Sequence, residues 1–342
     1  MKKAGIGICL MLAIIFVLGA CGGSAAREGQ GSNVAPQEKV HITVGHAGSE
    51  ATLMHRAWEV FKKEVEEVSG GKMTVEIYAN GQLGGDQQLQ EAVQNGDLIA
   101  TACNTAALTG FEPKLGVFAT PFLFADNQAA YELLDGEFGD KMLNLMEESG
   151  FKGLGFYESV HFRVLSANKP VHTPDDLKGV KIRVMQNPIH IAIWEALGAG
   201  PTSIPFSELY TALQQKTVDA QENPLELIVA QRFYEVQQAV TLTNHLFSVG
   251  MATMNLDFYN SLSAEQQKIV EDAVEKAVAF QREAGAAEYK DYLKTLQDAG
   301  IEVVMLTPQE LELFREKAKA AYPVIAKEVG QDLLDELLAA TK

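Results

Sequence analysis

The order of predicted strands and helices in the first third of the chain constrains its fold most strongly. Residues 40–46 alternate between apolar and polar side chains, as a strand does, and residues 52–69 carry apolar side chains at helical spacing. Residues 73–78 alternate again, residues 88–94 have the spacing of a short helix, and residues 98–103 fit a buried strand. This β-α-β-α-β order predicts an α/β fold with a largely parallel sheet and helices on its faces.

The rest of the chain continues with short predicted strands and ends in helices. Strands are predicted at residues 152–157, 163–166, 181–185, 240–242 and 249–255, and helices at residues 189–197, 207–215 and 225–232. Ser263 followed by Gln266 forms a capping box that opens a helix of roughly thirty residues, running past Tyr292. Such a helix is about 45 Å long at 1.5 Å per residue, enough to pass across two lobes. Thr307 caps one more helix, and a last one follows Gly330.

Two arginines and an asparagine suggest a site for a small anion. Arg163 and Arg183 fall on strand-like segments, and the sequence Asp-Ala-Gln-Glu-Asn-Pro at residues 219–224 predicts a polar loop that contains Asn223. A guanidinium group presents a rigid fork of N–H donors that matches a carboxylate bidentately, which a lysine ammonium cannot do. No nucleophile with an adjacent base stands near these residues. The pattern therefore predicts binding rather than catalysis.

The charge of the chain excludes several classes of partner. The formal net charge is −17 for the full sequence, and removing residues 1–20, which hold two lysines and no acid, makes it −19. A chain this acidic is a poor candidate for binding nucleic acid or anionic lipid surfaces, so no nucleic-acid partner is predicted. An anionic ligand would need a local positive pocket, which again indicates Arg163 and Arg183. With 47% hydrophobic residues the chain is globular, and its length allows about two domains.

The amino-terminal segment predicts export. Two lysines precede an apolar run at residues 6–18, which is too short for a comfortable membrane-spanning helix and indicates a secretory signal peptide over residues 1–20. Leu-Gly-Ala-Cys at residues 18–21 resembles a bacterial lipoprotein lipobox, which implies cleavage before Cys21 and lipid attachment to its thiol. The alternative is an ordinary signal peptide with a chance cysteine. Residues 21–37, rich in Gly, Ser, Ala and Gln, would form a flexible tether.

Neither disulfide, metal nor cofactor chemistry is predicted. After export only Cys103 would remain besides the lipid site, in an apolar run that indicates a small buried hydrophobe rather than a reactive thiol. The seven histidines include no HExxH motif or other ligand cluster. Residues 81–85 resemble a phosphate loop only superficially, because no Lys-Ser or Lys-Thr follows, and no Gly-x-Ser-x-Gly elbow occurs. We therefore expect no catalytic residue, no metal and no cofactor.

Several motifs, in order along the chain, resemble those of one protein family. They are Gln-Leu-Gly-Gly-Asp at 82–86, Thr-Pro-Phe at 120–122, Ser-Ala-Asn-Lys-Pro-Val at 166–171, Asp-Leu-Lys-Gly at 176–179, Lys-Ile-Arg-Val at 181–184, Phe-Ser-Glu-Leu-Tyr at 206–210 and the segment 219–224. Residues 40 to about 305 are similar to solute-binding proteins of tripartite ATP-independent periplasmic (TRAP) transporters, of the DctP type. The resemblance implies a two-lobed, periplasmic-binding-protein-like α/β fold with a long helix spanning both lobes. It places residues 38–160 and 249–288 in one lobe and residues 161–248 and 289–342 in the other.

The resemblance also implies a set of ligand-binding residues. Arg183, in the Lys-Ile-Arg-Val strand, would form the salt bridge to the ligand carboxylate, with a surface ion pair to Asp176 as the alternative. Arg163 matches a second arginine of the family site, and an interlobe salt bridge is its alternative role. Asn223 matches the asparagine of the Gln-Glu-Asn-Pro loop. Its amide can contact the ligand, stabilise its own turn, or do both.

Further positions match less specific parts of the family site. Phe206 would pack against the carbon skeleton of the ligand, or in the core. Asn104 and Gln186 match variable pocket positions, and a neutral amide at each suggests a hydroxylated ligand. Gln87 and His46 would lie in loops that face the cleft. Asn104 and Gln87 would come from the lobe opposite the two arginines and the asparagine.

Together these expectations describe a transport function. The resemblance implies an extracytoplasmic protein, in the periplasm or on the outer face of the cytoplasmic membrane, that captures an organic acid and delivers it to a TRAP membrane permease. The neutral amides favour a sugar acid such as a uronate, with C4-dicarboxylates next. An ABC-type binding protein would share the bilobal shape but should lack the arginine strand combined with the Gln-Glu-Asn-Pro motif. A secreted hydrolase or lyase would need a paired acid and base in the cleft, and the spacing reveals none.

Overall fold

The structure is a computed structural model that describes residues 39–157 and 161–341. The described residues form two β-sheets covered by helices, which confirms the predicted two-lobed α/β fold. The predicted signal peptide, the tether and Cys21 lie outside the described residues. In the part of the chain that the structure describes, no helix has both the length and the apolar composition needed to cross a bilayer.

The first sheet is formed by β1 (Val40–Gly45), β2 (Met73–Tyr78), β3 (Ala100–Asn104), β4 (Phe151–Gly155) and β10 (Gly250–Asn255). Their order is β2-β1-β3-β10-β4. β1 runs parallel to β2 and β3, as the β-α-β-α-β pattern predicts, whereas β10 is antiparallel to β3 and β4. We call the half of the molecule built on this sheet lobe I.

The second sheet is formed by β5 (Phe162–Ala167), β6 (Lys181–Val184), β7 (Gly200–Ser203), β8 (Ala220–Pro224), β9 (Ala239–Phe247) and β11 (Glu302–Val304). Their order is β11-β9-β5-β8-β6-β7, and we call this half lobe II. β5 is antiparallel to both of its neighbours, β8 and β9. The chain thus leaves lobe I after β4, returns to it with β10 and re-enters lobe II at β11. The residue bounds given above for the two lobes stay a proposal.

Thirteen α-helices lie within the described residues. They are α1 (Leu53–Val68), α2 (Asp86–Asn95), α3 (Thr105–Leu108), α4 (Asn127–Leu134), α5 (Glu137–Asn144), α6 (Pro188–Leu197), α7 (Leu209–Gln214), α8 (Leu225–Ala230), α9 (Leu256–Ser261), α10 (Ala264–Asp298), α11 (Pro308–Ala318), α12 (Tyr322–Val329) and α13 (Gln331–Ala340). Short 3₁₀ helices occupy Pro113–Ala119, Leu145–Ser149, Pro174–Leu177, Phe206–Glu208, Phe233–Val236 and Lys319–Ala321.

Helix α10 joins the cores of the two lobes. It has 35 residues and begins at the predicted capping box, where Ser263 Oγ accepts from the backbone N–H of Gln266. Its first half packs in the core of lobe I through residues such as Val270 and Ala277, and near its end Leu296 is buried in the core of lobe II. At 1.5 Å per residue the helix is about 50 Å long. The predicted long helix across both lobes is confirmed.

The segment predicted to be a polar loop is instead β8, and all five of its residues are buried. Its polar side chains have partners within the sheet: Asn223 donates to Gln221 Oε1 at 2.6 Å, and Gln221 donates to Ser166 Oγ at 2.7 Å. A buried polar group is tolerated when its hydrogen bonds are satisfied. Polarity at residues 219–224 therefore marks a network inside the sheet rather than an exposed loop.

Candidate ligand-binding site

Two adjoining cavities lie between the lobes. The inner chamber has a volume of about 40 Å³, and the outer chamber, which opens to solvent, has a volume of about 530 Å³. Residues of both lobes line each of them, and Asp86, Arg183, Met185 and Phe206 line both, so the two chambers form one continuous cleft. All seven predicted ligand-binding residues line this cleft. Arg163, Asn104 and Asn223 line the inner chamber only, whereas Gln87 and Gln186 line the outer chamber only.

The guanidinium group of Arg183 lies in the cleft, and its hydrogen bonds are only partly satisfied. The residue lies on β6, and only 2% of its surface is exposed. Its Nε donates to the carbonyl oxygen of Ile204 at 2.8 Å, and its guanidinium lies 5.9 Å from the centre of the Phe206 ring. Its buried Nη1 has no hydrogen-bond partner among the described residues. A buried donor without a partner is costly, so this atom favours an incoming acceptor.

The electrostatic surroundings of Arg183 favour an anion. Burial lowers the pKa of its guanidinium to about 10, and Glu222 and Asp86 oppose that shift while Arg163 adds to it. The group stays protonated at neutral pH but carries a desolvation penalty, which a bound carboxylate would offset. The predicted alternative, a surface pair with Asp176, is wrong. Asp176 instead accepts from the backbone N–H of Thr173 at 2.8 Å.

Arg163 is held by Glu222 in the same sheet, so the predicted alternative of an interlobe salt bridge is also wrong. Glu222 lies on β8, the neighbour of β5, and its side chain is fully buried. Arg163 Nε and Nη2 both donate to the Glu222 carboxylate, and Nη2 also donates to Asn223 Oδ1 at 2.9 Å. Nη1 makes only a long contact to Ser248 Oγ, at 3.4 Å. The charge of Arg163 is therefore neutralised by Glu222, and only the Nη1 edge of the guanidinium remains for contacts in the inner chamber.

Two histidines complete the surroundings of Glu222. His245 Nε2 lies 3.2 Å and His190 Nδ1 lies 3.5 Å from the Glu222 carboxylate oxygens. Burial would raise the pKa of Glu222, but Arg163 and the two histidines hold it well below its usual value. Burial lowers the pKa of both histidines, so they are neutral at pH 7. Since an ionised carboxylate only accepts, the proton of His245 sits on Nε2, and Nδ1 accepts from Thr243.

The two asparagines of the inner chamber already make structural hydrogen bonds. Asn223 accepts from Arg163 and donates to Gln221, which leaves one N–H for a ligand. Asn104 Oδ1 accepts from the backbone N–H of Ala106 and so caps α3, while its Nδ2 donates to Ser248 Oγ at 3.1 Å. Each amide therefore positions its neighbours and retains one donor. Their direct contact with a ligand stays a prediction.

The remaining predicted positions lie around the outer chamber or away from it. Phe206 is half-buried and packs edge-on against Phe233, so it serves both the cavity and the core. Gln186 is exposed at the outer chamber. Gln87 lies in α2 rather than in a loop, because the helix begins one residue before it, and it donates to Glu91. His46 lines neither chamber; it is fully buried and pairs with His55 at 3.0 Å.

Asp86 is a residue of the cleft that the sequence analysis did not single out. It is the first residue of α2, after a turn in which Gly84 has φ +123°. That φ strains any other residue, and a Cβ at Gly84 would also lie 2.9 Å from Gln88 Cβ, so the turn favours glycine. Burial raises the pKa of Asp86 to about 6, and Arg183 opposes the shift. The sequence feature that could have identified Asp86 is an acid directly after Gly-Gly at the start of a helix, because glycines at such a turn bring the backbone close to the cleft.

Comparison with known proteins places the chain in a family. Residues 44–328 match the model of the DctP family, described as bacterial extracellular solute-binding protein, family 7. The chain belongs to this family. It is similar to the 2,3-diketo-L-gulonate-binding periplasmic protein YiaO of Escherichia coli (strain K12), with 31% identity over 77% of this chain and 80% of that protein.

Solved structures agree with this assignment. The sugar acid binding protein DctPAm from Advenella mimigardefordensis, in complex with galactonate, has a TM-score of 0.86 at 33% identity, covering 89% of this chain and 98% of the other. A TRAP periplasmic solute-binding protein from Sulfurospirillum deleyianum, with bound succinate, has a TM-score of 0.84 at 31% identity, covering 88% and 99%. The chain is therefore an extracytoplasmic solute-binding protein of the TRAP type, and the ABC-type alternative is set aside.

Proposed function

We propose that this DctP-family protein captures a polyhydroxylated monocarboxylate, a sugar acid, and delivers it to a TRAP permease. The observation that carries the proposal is the unpartnered Nη1 of Arg183 in a small, buried chamber. A cavity needs roughly 10–15 Å³ to hold one water-sized group, so a chamber of about 40 Å³ has room for about three such groups. That is the size of one carboxylate, and the rest of the ligand would extend into the outer chamber.

The outer chamber supports a hydroxylated body rather than a second carboxylate. Asp86, Glu91 and Glu208 line it, and among the described residues Arg183 is its only lining cation. A second carboxylate there would face like charges, which is unfavourable in a partly desolvated cleft. Ligand hydroxyls can instead donate to these acids and accept from the glutamines of the same chamber. A sugar acid is thus favoured over a C4-dicarboxylate.

Capture by closure follows from the position of the cleft. The inner chamber is lined by Asp86 and Asn104 from lobe I and by Arg163 and Arg183 from lobe II. A ligand that contacts both lobes binds the closed form more tightly than the open form and shifts the population towards it. The closed form is then the species that a permease would recognise. We propose no chemical step, and a turnover assay on the bound acid tests that absence.

A thermal-shift comparison of D-galactonate with succinate tests the proposed ligand class. A ligand at 100 times its Kd stabilises the protein by about 2.7 kcal/mol, which for a domain of this size raises Tm by roughly 5 °C or more. We expect that shift with D-galactonate, D-glucuronate or a related sugar acid and a much smaller one with succinate. A larger shift with succinate would contradict the sugar-acid proposal while leaving an organic-acid site in place.

Replacing Asp86 by asparagine should reduce this selectivity. The variant loses an acceptor for ligand hydroxyls, and hydrogen bonds to charged groups contribute about 1.5–3 kcal/mol, so D-galactonate should bind at least about tenfold more weakly. Succinate should bind more tightly, because a like charge is removed from the cleft. Isothermal titration calorimetry with both ligands measures the change. Glu195→Gln, an exposed site on α6, is the matched control, and equal losses for both ligands would count against the role of Asp86.

We also propose that the protein is exported and held at the membrane by a lipid on Cys21. The apolar run, the small residues before Cys21 and the tether at residues 21–37 support this. A lipid anchor would keep the binding domain close to its permease. The mass of the mature amino-terminal peptide is the measurement: a free, unmodified Cys21 or cleavage at another bond would contradict the anchor.

A further inference from the structure

A buried glutamate that does not line the ligand cleft joins the two lobes. Glu226 lies in α8, directly after β8 of lobe II, and only 5% of its surface is exposed. Its Oε1 accepts from the backbone N–H of Leu53 at 2.7 Å, and Leu53 is the first residue of α1 in lobe I. The first N–H groups of a helix have no partner inside it, so a carboxylate from the opposite lobe completes the end of α1.

A second interlobe contact involves the other end of α8. Ser49 Oγ, in the turn before α1, donates to the carbonyl oxygen of Ala230 at 3.2 Å. Both ends of α8 are thus tied to the start of α1, through residues more than 170 positions apart in the sequence. Any opening of the cleft that moves α8 away from α1 breaks both hydrogen bonds and exposes Glu226 to water.

We infer that Glu226 and the amino terminus of α1 form a proton-dependent latch, which holds the lobes closed more firmly when the carboxyl group is protonated. This goes beyond the ligand class proposed above, because it concerns how the closed form responds to pH. The latch adjoins the inner chamber, which Met54 and Leu227 line, but neither Glu226 nor Leu53 lines either chamber. A test of the latch therefore needs a readout without ligand as well as one with ligand.

The charged groups near Glu226 are paired with other residues, so none of them is a dedicated counter-ion for its carboxylate. On α1, Arg56 donates to Glu288 Oε1 of α10 at 2.8 Å, so its charge is engaged by another acid. Tyr292 of α10 donates to the second oxygen of Glu288 at 2.6 Å. His55, on the first turn of α1, pairs with His46, whose pKa burial lowers to about 4. Neither a free lysine nor a free arginine in the described contacts compensates the Glu226 carboxylate.

The direction of the pH effect follows from burial. In this structure the lobes are in contact through the Leu53–Glu226 and Ser49–Ala230 hydrogen bonds, and we take it as the closed form. Burial raises the pKa of Glu226 to about 7 there; the Leu53 N–H and Arg56 oppose the shift and Glu288 adds to it. In an open form the exposed carboxyl would return towards its ordinary value of 4.5. Closing therefore takes up a proton. The closed form has its full stability below about pH 4.5 and loses it as the pH rises through about 7.

The test compares the wild-type protein with Glu226→Gln at pH 5 and pH 8. Each unit of pKa difference is a factor of ten, so the wild-type closing equilibrium, and with it the affinity for D-galactonate, should fall by up to about 70-fold between these pH values. Glutamine stays neutral and keeps an acceptor for the Leu53 N–H, so the variant should lack this loss. Other titrating groups, such as Asp86, are common to both proteins and cancel in the ratio of Kd values.

Small-angle X-ray scattering without ligand supplies a readout that does not depend on the proposed ligand. The wild-type protein should be more expanded at pH 8 than at pH 5, whereas Glu226→Gln should have the same radius of gyration at both. Glu195→Gln, which removes an exposed charge, should behave as the wild type does. If D-galactonate fails to bind but the scattering difference is found, the ligand proposal fails and the latch stands. Identical pH responses of wild type and Glu226→Gln in scattering would overturn the latch.

Discussion

Arg183→Lys is expected to weaken the binding of D-galactonate by roughly ten- to a hundredfold. Arg183 Nε is already bonded to the carbonyl oxygen of Ile204, so the ligand is left with the Nη groups, of which Nη1 is unpartnered. Lysine keeps the charge but offers one compact ammonium in place of a planar fork, and it cannot bond the backbone and a carboxylate in the same geometry. Charge-assisted hydrogen bonds contribute about 1.5–3 kcal/mol, and 1.4 kcal/mol is a factor of ten in Kd.

Isothermal titration calorimetry at pH 7.5 measures this loss. At a ligand concentration of 100 times the wild-type Kd, the stabilisation by the same ligand should fall from about 2.7 kcal/mol to between about 0.4 and 1.4 kcal/mol, so the thermal shift should shrink by about half or more. Arg232→Lys is the matched control, because Arg232 is exposed and pairs on the surface with Glu235, where such pairs contribute little. The control should bind as the wild type does. An unchanged affinity in Arg183→Lys would remove Arg183 from the site.

Glu222→Gln is expected to have the largest effect on stability, a loss of about 3–5 kcal/mol. The substitution keeps the shape of the side chain but leaves the Arg163 guanidinium buried without its counter-ion. For a domain of this size the loss corresponds to a fall in Tm of roughly 6–15 °C. Affinity should fall as well, because Glu222 orients the edge of Arg163 that lines the inner chamber. Thermal unfolding by circular dichroism measures the first effect.

The pH dependence of the stability difference between wild type and Glu222→Gln distinguishes loss of the Arg163 counter-ion from a general packing defect. The pKa of Glu222 is held well below 4.5, so its contribution is fully present above that value and is lost as the pH falls through the native pKa. The difference between wild type and variant should therefore be largest near neutral pH and shrink in acid. Glu235→Gln, at a surface pair, should cost less than about 1 kcal/mol. A constant difference at every pH would instead indicate altered packing.

Local patterns predicted the elements with strong periodicity. The strands and helices up to β3 and helix α10 lie where alternation, helical spacing and a capping box indicated. The errors arose where a segment is short or polar. Strand β7 was not predicted, and β8 was predicted to be a loop. A strand of five polar or small residues is stable only because neighbouring strands satisfy its side chains, and that information is not local.

The sequence predicted which residues line the candidate site, but not which of them pair with one another. All seven predicted residues line the cleft, and Cys103 is buried as expected. Arg163 and Arg183 were predicted to be similar ligand-binding cations, whereas Glu222 neutralises only Arg163. Asp86 was predicted as part of the Gln-Leu-Gly-Gly-Asp motif but not as a site residue, and Glu226 was not predicted at all; burial raises the pKa of both acids. A pKa shift of this kind depends on neighbours that are distant in sequence.

The amino-acid sequence by itself determined the α/β alternation, the long helix and the choice of guanidinium groups for an acid ligand. These follow from side-chain periodicity and from the chemistry of single residues, which act over a few positions of the chain. Tertiary structure alone decided which arginine keeps a free donor, which acids restrict the outer chamber, and that Glu226 meets the start of α1 across the lobes. These properties depend on desolvation and on contacts between distant segments, and both arise only when the two sheets are assembled.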